Sequence, residues 1–538
     1  MIRGSRILLV CLAALAVAAP AHARPVTAAD DGRPNILVVM TDDQALDDVR
    51  LMPNVRRLLA REGTTFADAV DSYPLCCPAR ATFITGQYAH NHGVAGNFYP
   101  YGWYGMKGRG NTLPRWLQRS GYRTALIGKW LNGYGSRDGH GEVPKGFDIW
   151  RGLLDVSAYD YFNFVMNVDG RLKTWGDGDF ARKLVEFADI QVTPRANPGL
   201  ADVFGRLAEV FGPGPYDYWG SQDPDDYSPD VTGSITEDLV AAERRSRKPF
   251  FIWWSPAAPH REDVAVTLMG RPGRDPRPPR RYESMASRYR LPRPPSFNEP
   301  DVSDKPSPVR EKAPALTDAQ IAQLQLDYEG RAGSLRAVDD HVKKLVDTLK
   351  RTNQLDNTLI VFLSDNGWMQ GEHRVPGDKF LPYEESIRIP FILRGPGVPE
   401  GRTVRGQVAN IDFAPTLLDA ADARPGRRMD GVSLLPATRN PRRRPDRLIQ
   451  LEALTSLFTG DFGPFNAWDR PYKGVRTDRY TYAIYTETRE RELYDRRRDP
   501  HQLENVVDDP SYSSVVTDLE AKLRELDRCK GTGCMVAP

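Results

Sequence analysis

Three short apolar runs in this chain end in acids, an amide or a histidine: PNILVVMTDDQ (34–44), PFFIWWSPAAPH (249–260) and NTLIVFLSDNG (357–367). Runs this short, rich in β-branched and aromatic residues, read as strands buried on both faces. Helix-like segments lie between them. MPNVRRLLAREGTTF reads as a helix closed by Gly63. TLPRWLQRSGYRTALIGKW reads as a helix, a stop at Gly121 and a strand, and residues 317–352 carry apolar side chains at helical spacing. Buried strands alternating with helices predict an α/β fold with a mostly parallel sheet flanked by helices. Such sheets place ligands beyond the C-terminal ends of their strands. Asp42-Asp43, Lys129, His260 and Asp365-Asn366 are therefore expected along one rim.

The 538 residues suffice for one large domain and a smaller one. Residues 32–440 are expected to form the catalytic domain. After about 440 the pattern changes to short alternating runs followed by a helix at 513–527, which predicts a small C-terminal α+β subdomain over 441–538. Residues 271–310, rich in Pro and Arg and without periodicity, are expected to be a long surface excursion. The net charge is +2, so nothing in the charge balance points to a nucleic-acid partner or a membrane surface.

The first 23 residues read as a secretory signal: Arg3 and Arg6, an apolar stretch at 7–19, then Ala21-His22-Ala23 as a cleavage site. The apolar stretch is short for a bilayer span and no other segment is apolar enough, so no membrane span is expected once the signal is removed. The chain is expected to be secreted or periplasmic, and its Arg-, Ala- and Pro-rich composition suggests a bacterial origin. Of five cysteines, Cys11 leaves with the signal. Cys529 and Cys534 flank a short loop and are expected to pair in an exported protein. Cys76 and Cys77 are then left without other partners.

Those two stand in PLCCPARATFITG (74–86). A zinc site built from Cys76, Cys77, His90 and His92 has poor geometry, and the chain holds no second C-x-x-C. A cysteine phosphatase loop needs Arg six residues after the nucleophile and a cradle of backbone N–H groups. Arg80 comes too early, and Pro78 deletes one of those N–H groups. The stretch instead resembles the type I sulfatase signature, C-x-P-x-R, with Cys76, Pro78 and Arg80 in register. GYRTALIGKW (121–130) resembles the family's second signature, and TDDQ, APH, SDNG and GDKFLPYEES follow in the family's order. AHNHG, GKWLNGYG, SFNEPDVSDKP and GEHRVPGDK resemble the branch of N-acetylglucosamine-6-sulfatases and heparan glucosamine-6-sulfatases.

The resemblance implies an alkaline-phosphatase-like fold. It implies that Cys76 is oxidised to formylglycine, whose hydrate is the nucleophile, and hence a formylglycine-generating enzyme as partner. Asp42, Asp43, Asp365, Asn366 and residue 76 would ligate a divalent cation. Oxygen ligands suit Ca²⁺ or Mg²⁺ rather than zinc, and the resemblance favours Ca²⁺. Arg80 and Lys129 would hold the hydrate and the sulfate oxygens, Lys379 would contact sulfate or the bridging oxygen, and His260 the leaving-group oxygen. Asn132 and His373 are candidate substrate contacts, whereas His90 and His92 read as structural. One departure is that many sulfatases carry a histidine where this chain has Leu131, so the base for the second half-reaction is not assigned.

The expected activity is hydrolysis of a sulfated sugar of the N-acetylglucosamine 6-O-sulfate type. An arylsulfatase, a phosphate or phosphonate monoester hydrolase on the same scaffold, and an inactive protein binding sulfated glycans are the alternatives.

Overall fold

The three apolar runs lie at the centre of an eleven-stranded sheet. The structure, a computed structural model, describes residues 32–97, 100–135, 140–155, 157–178, 181, 223–262, 275–455 and 470–538. The signal expected at 1–23 lies outside the described residues. The strands are β1 (Asn35–Thr41), β2 (Thr64–Val70), β3 (Arg123–Lys129), β4 (Ile149–Leu153), β5 (Phe164–Val168), β6 (Arg171–Trp175), β7 (Phe250–Ser255), β8 (Thr358–Ser364), β9 (Arg388–Ile389), β10 (Phe391–Arg394) and β11 (Arg402–Ala409). Their order is β11-β2-β10-β8-β1-β7-β3-β4-β5-β6, with β9 on β2. The centre, from β8 through β1, β7 and β3 to β4, is parallel. Antiparallel pairs enter where β10 lies between β2 and β8 and where β5 and β6 extend the edge.

Every residue of β1, β7 and β8 is buried, as the unbroken apolar runs require. Alternate side chains of β1 serve the two faces. Ile36, Val38 and Met40 pack with Phe83, Leu117, Trp253 and Phe413. Leu37 and Val39 pack with Leu335, Val338 and Leu345 of the helix Asp318–Arg351. Each such side chain contributes about 1.5–3 kcal/mol by leaving water. Thr317 and Gln320 form the capping box that starts that 34-residue helix.

Register sets the position of the site. Thr41 pairs with Ser364, and Gly128 with Ser255. The residues that follow β1, β3, β7 and β8 therefore leave the sheet at one edge.

β12 (Ile449–Ala453), β13 (Tyr472–Arg476), β14 (Tyr480–Tyr485) and β15 (Arg491–Asp495) form a separate antiparallel sheet. The helix Ser513–Leu526 closes it with Val516, Leu519, Leu523 and Leu526, and Tyr73, Leu75, Tyr88 and Phe380 belong to the same apolar cluster. This sheet thus braces the segment that carries Cys76. Cys529 and Cys534 form a disulfide.

One of two local expectations needs correction. The helix expected after Met52 is present, at Val55–Ala60, and ends before Gly63; only the last residues of that stretch, from Thr64, belong to β2. The excursion at 271–310 is not confined to the surface: Ser296, Glu299, Lys305 and Val309 are buried. Backbone pairing to a distant turn draws it in, since His373 N–H donates to the Ser296 carbonyl and Asn298 N–H to the Gly371 carbonyl.

Candidate active site

Cys76 opens the helix Cys76–Thr85, with Pro78 in its first turn and Gly86 ending it at a φ of 64°. This puts residue 76 at the positive end of the helix, against the strand ends. Its Sγ lies 3.5 Å from Asp42 Oδ1 and 3.8 Å from Asp43 Oδ1 and accepts a hydrogen bond from Lys379 Nζ at 3.1 Å. Lys379 Nζ also donates to Asp43 Oδ1. Lys129, the last residue of β3, puts Nζ 2.5 Å from Asp42 Oδ2. His260 Nε2 is 3.3 Å from Asp43 Oδ2, and its Nδ1 donates to the Arg261 carbonyl at 2.6 Å.

Arg80 lies one helical turn beyond Cys76 and is wholly buried. Its Nε donates to Asp365 Oδ2 at 2.9 Å and one terminal nitrogen to Asp42 Oδ2 at 3.1 Å. The other terminal nitrogen reaches the Lys129 carbonyl and Ser255 Oγ. One guanidinium fork therefore ties the ends of β1, β3, β7 and β8 together. Asn366 Nδ2 donates to Asp43 Oδ1 at 2.7 Å. All of the residues expected at the rim converge, whereas the two candidate substrate contacts, His373 and Asn132, are engaged elsewhere. His373 is fully buried; it is bonded through Nδ1 to Glu299 at 2.6 Å and stacked on Tyr383 at 4.1 Å. Asn132 Nδ2 donates to Tyr159 Oη at 2.6 Å.

Tyr159 gives no signal in the sequence, yet it lies against the knot. Its ring centroid is 4.3 Å from that of His260 and 4.5 Å from Lys129 Nζ. It stands in a stretch rich in aromatics with no motif, where only the fold reveals its neighbours. His90 and His92 sit in structural contacts, His90 with Glu452 and the Cys529 carbonyl, His92 with Thr82.

Electrostatics follow from burial and pairing. Burial alone raises the Asp42 carboxyl, but Lys129 and Arg80 outweigh it and hold the group below the ordinary carboxylate range. Burial, followed by the Asp42 charge, raises Asp365. Burial and then Asp42 push the Cys76 thiol well above its usual value, so the unmodified sulfur stays protonated and is a poor nucleophile.

A cation has a place here. Asp42, Asp43, Cys76 and His260 present one ligand atom each within 4.8 Å of one another. Asn366 Oδ1 is buried and accepts no hydrogen bond among the described residues, an arrangement that costs free energy unless a positive group meets it. Carboxylate and amide oxygens fit a hard divalent ion.

Comparison with known proteins agrees with this geometry. The family described as Sulfatase matches residues 34–423, and the one described as N-sulphoglucosamine sulphohydrolase, C-terminal, matches 371–529. The N-acetylglucosamine-6-sulfatase of Capra hircus is 29% identical over 93% of this chain and 85% of its own length. The N-acetylglucosamine-6-O-sulfatase of Bacteroides thetaiotaomicron is 27% identical over 97% and 90%. A structure solved in complex with its substrate D-glucosamine-2-N,6-O-disulfate superposes with a TM-score of 0.70 at 22% identity, covering 92% of this chain and 98% of that one. The phosphonate monoester hydrolase of Agrobacterium radiobacter superposes with a TM-score of 0.64 at 21% identity, covering 92% and 95%. The first match alone spans most of the chain, which belongs to the sulfatase family. It is a sulfuric ester hydrolase on an alkaline-phosphatase-like fold.

Proposed function

We propose that this sulfatase removes the 6-O-sulfate of an amino sugar of the N-acetylglucosamine type, with residue 76 converted to formylglycine by a formylglycine-generating enzyme. The observation that carries the reading is the meeting of Cys76 with two carboxylates and Lys379 within 3.8 Å. Relatives named for N-acetylglucosamine 6-sulfate support the sugar. Export is supported by the signal-like start and the Cys529–Cys534 disulfide.

Asp42, Asp43, Asp365 and Asn366, with residue 76, would hold Ca²⁺. When bound, the ion would supply Lewis-acid stabilisation of charge on the sulfate oxygens. As formylglycine, residue 76 would carry the oxygen nucleophile that the buried thiol does not provide.

The surrounding side chains account for the rest. Lys129, held on Asp42, and Lys379, held on Asp43 and Cys76 Sγ, offer ammonium donors to the sulfate oxygens. Arg80 holds Asp42 and Asp365 in place. Hydrolysis breaks the bond between sulfur and the bridging oxygen, and that oxygen needs a proton because a sugar alcohol is a poor leaving group. Lys379 Nζ supplies it, or His260 Nε2 does as the doubly protonated imidazolium, because Nδ1 keeps its own proton on the Arg261 carbonyl. The Tyr159 ring packs against the imidazole with centroids 4.3 Å apart.

Sulfate release from N-acetylglucosamine 6-sulfate, from an aryl sulfate and from the matched phosphate esters tests the proposal. Turnover of the sugar sulfate well above the phosphate ester is expected. Turnover confined to the aryl sulfate makes the protein an arylsulfatase, and faster phosphate ester cleavage contradicts the proposal outright.

A further inference from the structure

Leu335, Val338, Val342 and Leu345 of the helix Asp318–Arg351 form the stripe that packs on the sheet, and all are buried. Four residues before Leu335 the same stripe reaches Arg331, which is 1% exposed. A charge in a core stripe costs free energy unless its partners offset that cost. The offset here is incomplete. Arg331 pairs with Asp48 Oδ2 at 2.9 Å, but its own Nε and Asp48 Oδ1 are both buried and make no hydrogen bond among the described residues. A buried pair of this kind is often no more stabilising than apolar residues of the same size, so stability alone does not account for it.

What the guanidinium holds is more telling. Nη2 donates to the Asp43 carbonyl at 2.7 Å, and Nη1 to the Pro259 carbonyl at 3.2 Å. Asp43 has a φ of 60°, a left-handed conformation that residues other than glycine seldom adopt. Its N–H donates to Asp365 Oδ1 at 3.1 Å. The Asp43 backbone is therefore held from both ends, which sets where its carboxylate points. Pro259 immediately precedes His260. The guanidinium also lies over Trp368, with Cζ 5.5 Å from the ring centroid, and Lys379 Nζ is 5.3 Å from the same indole. One side chain thus joins the loops after β1, β7 and β8. Arg80 ties strand ends together from the helix Cys76–Thr85, whose Phe83 packs on the opposite face of the sheet. The rim is held by two buried arginines, one from each face.

Resting on the roles proposed above for Asp43 and His260, we infer that Arg331 is a positioning residue of this active site. It acts through their backbone, fixing the turn that aims the Asp43 carboxylate and the peptide that leads into His260. Two carbonyls and a carboxylate are served at once by a planar fork, which a lysine ammonium on its flexible stem does not reproduce. Groups that support metal ligands in this way typically change metal affinity or activity by 10–100-fold when removed.

The test separates positioning from stability by removing the ion pair whole. The variant Asp48→Leu/Arg331→Met leaves no buried charge behind and should melt close to the parent. Its Ca²⁺ affinity, measured by isothermal titration calorimetry well below the melting temperature, should be about tenfold weaker or more. Its kcat on N-acetylglucosamine 6-sulfate and on 4-nitrophenyl sulfate should fall by about tenfold or more, with residue-76 modification matched. If the double variant does not fold, Arg331→Lys, which keeps the charge beside Asp48 and loses the fork, is read in the same way. A folded variant whose Ca²⁺ affinity and kcat stay within about twofold of the parent overturns the inference and leaves the function intact. Activity that falls only in step with the unfolded fraction, at unchanged Ca²⁺ affinity, makes Arg331 merely structural and overturns it too. Weaker Ca²⁺ binding and lost aryl sulfate turnover in the variant, in a parent inert on the sugar sulfate, overturn the function and support the inference.

Discussion

Removing His260 should hurt some esters far more than others. Its Nδ1 is 2.6 Å from the Arg261 carbonyl, a group that only accepts, so the ring proton at that nitrogen is fixed. Nε2 is the nitrogen that faces Asp43, on the reactive side, and the Tyr159 ring packs against the imidazole at a tilt of 35°. The imidazole is thus held for proton transfer at one atom, and a positioned acid contributes typically 10²–10⁴-fold. A phenol with a pKa of about 10 departs without much help, whereas a sugar hydroxyl does not. His260→Ala should therefore cost at least about tenfold more in kcat on N-acetylglucosamine 6-sulfate than on 4-nitrophenyl sulfate, the low side of that range. Steady-state assays on both esters, with residue-76 modification and metal content matched, measure the ratio. Equal losses on the two esters would refute the acid role and leave His260 as a sulfate contact, with Lys379 the donor.

Cys76→Ala should abolish turnover, while Cys77→Ala should keep most of it, because Cys77 Sγ lies 3.8 Å from the Asn132 carbonyl rather than against Asp42 and Asp43; comparable losses in two folded variants would contradict the assignment. Asp42→Asn or Asp365→Asn should lower Ca²⁺ content, measured by elemental analysis, together with activity, and full activity in chelated, metal-free protein would remove the cation from the account. Glu492 is buried among Tyr383, Tyr485 and Tyr494, and burial raises its carboxyl to about 7 from 4.5. Between those values the folded state binds the extra proton, so stability falls as pH rises from about 4.5 to 7, by up to about 3 kcal/mol. Glu492→Gln should flatten the decline in melting temperature over that range, and an unchanged slope would show that the shift lies elsewhere.

The rim was legible because it is local. Each buried strand announces itself by an unbroken apolar run, and the polar residues that end it must meet where parallel strands stop in register, as Thr41 and Ser364 do. PLCCPAR was legible because a helix start, a proline and an arginine one turn later have to be close in space. What the sequence hid depends on partners far along the chain. Ser296 and Glu299 are drawn inward by the turn at 371–373, more than seventy residues away, and no periodicity in 271–310 records that pairing. Tyr159 and Trp368 gain their roles only from the folding of β3, β7 and the loop after β8 around them. The antiparallel insertion of β10 between β2 and β8 is likewise a matter of sheet order, which strand composition does not encode.

The most direct test is the mass of the peptide spanning residue 76 in purified, active protein from a host that has the converting enzyme. The account predicts the formylglycine aldehyde or its hydrate at residue 76, in a fraction that tracks the rate of sulfate release, with Cys77 left as a thiol. Full activity in protein whose Cys76 is entirely unmodified would contradict it.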